Sequence, residues 1–156
     1  MNKLTGFLPN EQATIDFANL FADLLDGSFN IYLKGEIGAG KTTFVRSFLR
    51  AVGVVGAIKS PTFSILESYQ LQDQLIYHFD LYRITSPDEL EYLDYREYLS
   101  IISLCFIEWP EHGGNLLPEP DFLLNLSCKG IGREFSLKAN SLSARELLLQ
   151  LEYRMG

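Results

Sequence analysis

Apolar residues in the first third of the chain follow two alternating spacings. They recur every three or four positions from Asn10 to Asp26 and again from Thr42 to Val52, which predicts two amphipathic helices. Between these helices, residues Phe29 to Lys34 alternate as in a strand and lead directly into a glycine-rich segment. A strand, a loop and a helix in this order predict the start of an α/β fold.

The middle of the chain predicts a hairpin followed by a helix. Residues Phe63 to Gln70 and Leu75 to Tyr82 alternate as strands and are separated by a short polar turn. The segment from Ser86 to Tyr98 begins with SPDE, the composition of a capping box with proline in the first helical turn. We therefore expect a helix over this acidic segment.

The last third predicts a buried strand, a second hairpin and a final helix. The apolar run IISLCFIE, which ends at Glu108, is typical of a strand buried on both faces. DFLLNLS and REFSLKA, separated by a glycine-containing turn, predict the hairpin, and Ser143 to Glu146 predict the start of the helix. The order of elements predicts one α/β domain over residues 1–156, with a mostly parallel sheet, helices on both faces and antiparallel additions.

Composition fits one ordinary globular domain. The chain has 156 residues, of which 47% are hydrophobic and 21% charged. No stretch approaches the roughly 18 apolar residues of a membrane span, and the N-terminus lacks the apolar run of a signal peptide, so we expect a cytoplasmic protein. Cys105 and Cys128 lie in predicted strands without nearby cysteine or histidine, and are expected to be buried free thiols.

Charge is distributed unevenly. The net charge is −7, made up of +1 over residues 1–60 and −8 over residues 61–156. Binding to a phosphate backbone depends on clustered lysine and arginine, so the second part is not expected to grip nucleic acid directly. An acidic face, including the run of acids over residues 88–97, is better suited to a basic protein or to solvent.

The glycine-rich segment GEIGAGKTT matches the phosphate-binding pattern G-x-x-x-x-G-K-[ST] between a predicted strand and a predicted helix. Its backbone N–H groups would form an anion site at the start of the helix, which predicts a P-loop NTPase-like three-layer fold. Lys41 would contact the terminal phosphates, Thr42 would bind magnesium and Thr43 would add a backbone N–H. The loop residues expected to bind nucleotide are Gly35, Gly38, Ala39, Gly40, Lys41, Thr42 and Thr43.

Two acids follow apolar strands and are candidates for the carboxylate that such a site needs. Asp80 ends LIYHFD and Glu108 ends LCFIE. Either could hold the magnesium shell or orient water, because an ionised group at the end of a buried strand is costly without a partner. The alternatives are a salt bridge from Asp80 to Arg83 and a solvated strand end at Glu108.

Four further residues have an ambiguous role. Thr62, in the segment SPTF, could sense a γ-phosphate through its hydroxyl, or could lie in a simple turn. Trp109, the single tryptophan, is expected to pack in the interior or to contact a partner. His78 is interpreted as a core or hairpin residue and His112 as a loop residue, since their separation suits neither a metal site nor a catalytic triad.

Four motifs in this order, GEIGAGKTT, SPTF, HFDLYR and IEWPE, resemble those of the bacterial TsaE family, also called YjeE. The resemblance extends from near Asn10 to about residue 138. It implies a small ATPase required for threonylcarbamoyladenosine modification of tRNA, with Thr42 and Glu108 at the magnesium ion and Thr62 in a switch-like segment. Asp80 matches the family's acid in HFDLYR and would support the metal shell or the attacking water. The resemblance also implies a functional role for Trp109, and its weaker matches place Glu11 and Arg133 near the nucleotide base.

The same resemblance implies partners. In this family TsaD, paired with TsaB, transfers the threonylcarbamoyl group to the adenosine beside the anticodon, and the ATP cycle of TsaE is thought to reset that complex. We therefore expect Mg²⁺-dependent ATP hydrolysis through Lys41, Asp80 and Glu108, with only indirect contact to tRNA and with Trp109 and residues 88–97 as candidate contact sites. No arginine finger is evident, Arg83 being the nearest candidate, so slow hydrolysis that a partner stimulates is expected.

Two other functions are compatible with the phosphate loop. A small-molecule or nucleoside kinase would have the same phosphate loop, although no arginine-rich lid segment is evident. A non-catalytic binding module would also fit, in which bound ATP orders SPTF and its surroundings but is not hydrolysed. A GTPase is less expected, because no N-K-x-D motif occurs in a suitable place.

Overall fold

A seven-stranded mixed sheet forms the centre of the computed structural model, which describes residues 2–100 and 102–156. The strand order is β1-β7-β6-β2-β5-β4-β3. The four central strands β6, β2, β5 and β4 are parallel, while β7, β1 and β3 pair antiparallel at the edges. The strands are β1 (Lys3–Leu8), β2 (Phe29–Lys34), β3 (Leu66–Gln70), β4 (Leu75–Asp80), β5 (Leu104–Glu108), β6 (Phe122–Lys129) and β7 (Gly132–Ala139).

Helices cover both faces of the sheet. The α-helices are α1 (Glu11–Leu24), α2 (Lys41–Ala51), α3 (Tyr95–Ser100) and α4 (Leu142–Met155), and the 3-10 helical segments are Pro87–Leu93 and Pro110–Leu116. One core cluster joins the sheet to α1, α2 and α4, and a second joins its other face to α3 and the 3-10 segments. No helix in the described part of the chain is long and apolar enough to cross a membrane.

Aromatic packing fixes α2 against the sheet. Phe44 and Phe48 of α2 are almost completely buried, and the ring of Phe48 meets Phe106 of β5 edge-on at 4.8 Å between centroids. Phe21 of α1 packs against both α2 phenylalanines. Burial of such a side chain contributes about 1.5–3 kcal/mol, so these contacts hold the first turn of α2 in a fixed position at the end of β2.

The expected α/β fold is confirmed, including β2 at its predicted bounds. Asn10 caps α1 by accepting a hydrogen bond from the Ala13 N–H. Other bounds differ: the first hairpin strands are shorter than expected, and α4 begins at Leu142 after its cap Ser141.

Two structural expectations were wrong. The SPDE capping box forms, but it opens a 3-10 segment, and Asp94 in a left-handed conformation separates that segment from α3. The expectation of two buried thiols was wrong because Cys105 is buried whereas Cys128 is exposed near the end of β6. The edge strand β1 had no clear signal in the sequence, since Leu8 alone among its residues is fully buried.

Candidate functional site

A cleft of about 430 Å³ opens at the carboxyl ends of the parallel strands β2, β4 and β5. Ligands bind at this edge of open α/β sheets because loops and helix N-termini converge there. The cleft is lined by Asn10, Glu11, Thr14, Ile37, Gly38, Gly40, Lys41, Thr42, Thr43, Thr62, Asp80, Tyr82, Glu108, Trp109, Ile131 and Arg133.

The glycine-rich loop between β2 and α2 adopts a conformation that requires glycine at two positions. A Cβ at Gly35 would lie 2.4 Å from the backbone oxygen of Leu126, so a side chain cannot be accommodated. Gly40 caps α2 with a φ of 103°, in the left-handed region that glycine adopts without strain. The first amides of α2 therefore face the cleft without a side-chain cap, an arrangement suited to an anion.

Two side chains attach this loop to the β6–β7 hairpin. The guanidinium of Arg133 donates to the carbonyl oxygens of Ala39 and Gly38, each at 2.9 Å. Glu36 accepts a hydrogen bond of 2.8 Å from the Cys128 N–H, which lowers the pKa of the Glu36 carboxyl. The hairpin thus holds the loop from outside and leaves its concave face toward the cleft.

Lys41 is 5% exposed and folded back over the cleft. Its ammonium donates to the carbonyl oxygen of Gly35 and lies 3.8 Å from the ring centroid of Trp109, a favourable cation–π distance. Burial lowers the pKa of the Lys41 amine, while the Glu108 and Asp80 carboxylates oppose that shift.

Asp80 and Glu108 are paired in register at the ends of β4 and β5, and both are buried. The Thr42 hydroxyl donates toward Glu108, at 3.2 and 3.3 Å from the two carboxylate oxygens. Asp80 accepts from the Tyr82 N–H at 3.0 Å and from the Thr62 hydroxyl at 3.4 Å. Burial raises the pKa of Asp80, so its ionised form is costly without a cationic partner.

The alternative interpretations of these two acids do not fit their surroundings. Arg83 lies over the ring of Phe63 at 4.3 Å, and no ion pair between Asp80 and Arg83 is formed in the described residues. Glu108 is 2% exposed and is therefore not a solvated strand end.

The donor set near Glu108 fits Mg²⁺. Carboxylate and hydroxyl oxygens are the ligands this ion prefers, and it is usually held by one or two carboxylates together with water and substrate phosphates. Within residues 2–100 and 102–156, no group of three or more His, Cys, Asp or Glu side chains forms a complete metal site. Thr42 and Glu108 could therefore hold Mg²⁺ as part of a shell that a phosphate ligand completes, with Asp80 beside it.

Trp109 forms the rim of the cleft in an unusual backbone conformation. Its φ and ψ are 56° and 48°, a left-handed geometry uncommon for a bulky residue and often found at functional sites. Tyr82 and His112 pack against its ring at 5.0 and 5.5 Å between centroids. His112 is in turn fixed by a 2.9 Å hydrogen bond to the carbonyl oxygen of Leu81.

The cleft brings together most of the residues singled out from the sequence. Gly35 and Ala39 lie outside the lining, and the acidic stretch over residues 88–97 does not reach the cleft. Five lining residues were not assigned to the site from the sequence, although Ile37 and Tyr82 lie within the motifs GEIGAGKTT and HFDLYR: Asn10, Thr14, Ile37, Tyr82 and Ile131. His78, interpreted from the sequence as a core or hairpin residue, is buried in β4 of the first hairpin, and it is also hydrogen-bonded to Glu108 at 2.6 Å.

Comparison with known proteins extends these observations. The family model "Threonylcarbamoyl adenosine biosynthesis protein TsaE" matches residues 8–135. The tRNA threonylcarbamoyladenosine biosynthesis protein TsaE of Haemophilus influenzae is 40% identical over 146 residues, which cover 90% of this chain and 92% of that protein. The protein of the same name from Aquifex aeolicus is 39% identical over 106 residues, covering 67% and 74%. The crystal structure of YdiB from Bacillus subtilis superposes with a TM-score of 0.81 at 24% identity, over 99% of this chain and 97% of that one.

The fold is a P-loop-like α/β fold in which a glycine-rich loop precedes a helix at the edge of a largely parallel sheet. The extent of the family match and the identity to curated relatives then define the family. The chain belongs to the TsaE family, whose members are proteins of tRNA threonylcarbamoyladenosine biosynthesis.

Proposed function

We propose that this protein is a Mg²⁺-dependent ATPase that acts on the TsaD–TsaB complex during threonylcarbamoyladenosine formation and does not transfer the group itself. One observation carries the proposal: the in-register, buried carboxylates Asp80 and Glu108 share one cleft with Lys41 and the glycine-rich loop. Phosphate-loop ATPases need this combination of a cationic cradle and a strand-end acid.

ATP binding would use the cleft as follows. The amides of the loop and of residues 40–43 would bind the phosphates, and the base would lie toward Glu11 and Arg133. Lys41 would leave the Gly35 carbonyl and the Trp109 ring to contact the terminal phosphates. Because Trp109 is the single tryptophan of the chain, its fluorescence should change when nucleotide binds.

Hydrolysis would depend on the two carboxylates and two hydroxyls. Thr42 and Glu108 would hold the magnesium ion, which supplies positive charge that stabilises the developing phosphate charge. Asp80, which already accepts from the Tyr82 N–H and the Thr62 hydroxyl, would orient the attacking water. Thr62 would report the presence of the γ-phosphate through that contact.

The isolated protein should hydrolyse ATP slowly because few cationic side chains in the described cleft are available to stabilise the transition state. Among the described residues that line the cleft, Lys41 and Arg133 are the ones with cationic side chains, and Arg133 is committed to loop carbonyls. Arg83 rests on Phe63 outside the cleft lining. An arginine that stabilises the transition state can raise kcat by a factor of about 10³–10⁵. Hydrolysis should therefore be slow until a partner supplies or repositions such a charge.

The acidic surface supports an interaction with a basic protein surface. The stretch over residues 88–97 carries exposed acids and Tyr92, which is 89% exposed. Exposed aromatic residues commonly anchor protein interfaces. We assign this stretch and the Trp109 rim as contact sites for TsaD and TsaB in the cytoplasm, with tRNA held by those partners.

Phosphate release measured with and without purified TsaB and TsaD tests the proposal. Wild type should hydrolyse ATP slowly alone and faster with both partners, whereas Lys41→Ala should lose at least about 100-fold because a charge that stabilises phosphoryl transfer is removed. Lys59→Ala, which removes an exposed lysine, is the matched control and should behave as wild type.

Three outcomes would contradict the proposal. Unchanged hydrolysis in Lys41→Ala would remove the assignment of the site. Tight ATP binding without phosphate release, even with both partners, would indicate a non-hydrolysing module, and transfer of phosphate to an added nucleoside would indicate a kinase.

A further inference from the structure

His78 occupies an interior position of β4 beside the carboxylates. It is 2% exposed, and its Nε2 atom lies 2.6 Å from Oε2 of Glu108 on the neighbouring strand β5. An ionised carboxylate can only accept hydrogen bonds, so with Glu108 ionised the imidazole carries a proton on Nε2 and donates a hydrogen bond to the carboxylate.

We infer that His78 is a positioning residue that sets the orientation of the Glu108 carboxylate for Mg²⁺-nucleotide binding. The inference rests on the proposed function, because it gives Glu108 a role at the metal. It adds a residue whose part in the site no motif or comparison specifies.

The second ring nitrogen shows that packing alone does not explain this histidine. Nδ1 of His78 is buried and has no hydrogen-bond partner among the described residues. A buried polar atom without a partner destabilises a folded protein, whereas an apolar ring would fill the same space without that cost. The hydrogen bond from Nε2 to Glu108 is therefore what the imidazole adds at this position.

The geometry around Glu108 indicates what this hydrogen bond does. The strand alternation places His78 and Asp80 on the same face of β4 as Ile76, toward the core cluster that contains α2. Oε2 of Glu108 is held by His78, and the Thr42 hydroxyl lies 3.2 Å from Oε1 and 3.3 Å from Oε2 of the same carboxylate. With Oε2 fixed by the imidazole, the whole carboxylate is held against the Thr42 hydroxyl, and Oε1, which the imidazole does not contact, stays available for the metal. Groups that orient metal ligands in this way commonly change metal affinity or activity by about 10–100-fold when they are removed.

The test compares nucleotide affinity in the presence of Mg²⁺ and of EDTA for the full chain, by titration of a fluorescent ATP analogue. His78→Phe fills a similar volume without the donor, and its gain in affinity from Mg²⁺ should fall about tenfold or more, while affinity in EDTA stays within about twofold of wild type. His78→Gln keeps an N–H that can reach Glu108 and should restore most of the Mg²⁺ effect. Tyr77→Phe removes a polar atom from the opposite face of the same strand and should leave the Mg²⁺ effect unchanged.

The outcomes separate this inference from the proposed function. If wild type binds nucleotide no more tightly with Mg²⁺ than with EDTA, the proposed function itself fails at its metal site. If wild type shows the Mg²⁺ effect and His78→Phe retains it in full, the positioning role is wrong. Thermal unfolding shows whether each variant folds. If His78→Phe does not fold, His78→Gln is compared with the shorter His78→Asn. An equal Mg²⁺ effect in those two variants would also overturn the positioning role.

Discussion

Replacing Arg133 with glutamine should loosen the glycine-rich loop and weaken nucleotide binding. The guanidinium donates to two loop carbonyl oxygens, those of Gly38 and Ala39, and a third hydrogen bond of 2.7 Å to Gly132 fixes the side chain to its own strand. Glutamine carries one amide group, so it cannot reproduce this fork. The loop would then have to be ordered by the nucleotide itself.

The size of the effect follows from these contacts. A hydrogen bond that involves a charged group contributes about 1.5–3 kcal/mol. Arg133 is partly exposed, so each of its two hydrogen bonds to the loop should contribute less than the lower end of that range. Loss of both should cost about 2 kcal/mol of binding free energy, because nucleotide binding must restore the loop order. At about 1.4 kcal/mol for each factor of ten, the Kd for Mg²⁺-ATP should rise about 30-fold.

Equilibrium titration monitored by Trp109 fluorescence measures this change. Lys129→Gln is the matched control, since it removes one positive charge from the same hairpin, where Lys129 pairs with the exposed Glu134 at 2.8 Å. Arg133→Lys keeps the charge without the fork and should lie between wild type and Arg133→Gln. A Kd for Arg133→Gln within about threefold of wild type, or an equal loss in Lys129→Gln, would refute the loop-ordering argument.

Three further changes have outcomes fixed by local structure. Burial raises the pKa of Asp80 above its ordinary 3.8, so at pH values above 3.8 the folded state binds more protons than the unfolded state and the free energy of unfolding falls as pH rises. Asp80→Asn should therefore resist urea better than wild type at pH 7, and the difference should vanish in acid. Lower urea resistance of Asp80→Asn at pH 7 would contradict this. Gly35→Ala places a Cβ 2.4 Å from the Leu126 backbone oxygen and should lower the free energy of unfolding by about 1–3 kcal/mol in the same assay, whereas an unchanged midpoint would refute the close approach. The Glu36 carboxylate raises the pKa of the exposed Cys128 thiol, and burial raises the pKa of the Cys105 thiol to about 12. Ellman's reagent should therefore titrate Cys128 in the native protein and Cys105 only after unfolding, and two reactive thiols in the native protein would contradict this.

The parts of the site that are formed by contiguous residues could be predicted from the sequence. β2, the glycine-rich loop and α2 are contiguous, so their hydrophobic spacing and the G-x-x-x-x-G-K-[ST] pattern define them together. Asp80 and Glu108 are candidates from the sequence because each acid ends an apolar strand-like run. Their pairing in register additionally requires β4 and β5 to be neighbours.

The parts that depend on distant contacts could not be predicted. Arg133 reaches the carbonyl of Gly38 across 95 positions of sequence, and the Glu36 contact with Cys128 spans 92. The role of His78 is invisible to periodicity, since a buried histidine in a strand has the same pattern whether it packs or holds Glu108. These contacts arise from the sheet order, which places β6 beside β2 and β4 beside β5.

The exposed acidic stretch illustrates how the structure changes an argument based on net charge. Glu89 accepts from the Ser86 N–H as part of the capping box, and Glu91 pairs with Arg96 at 2.6 Å, so both carboxylates also serve the local structure. Reversing either charge would change the fold of the stretch and any docking at the same time. Asp88 and Asp94 are also exposed, and their side chains make no such contact in the described residues. Asp88→Asn and Asp94→Asn therefore separate the two effects, since asparagine also tolerates the left-handed conformation of Asp94. Binding to TsaD and TsaB should weaken and become less salt-dependent while thermal stability is kept, because long-range attraction between charged surfaces is screened by salt.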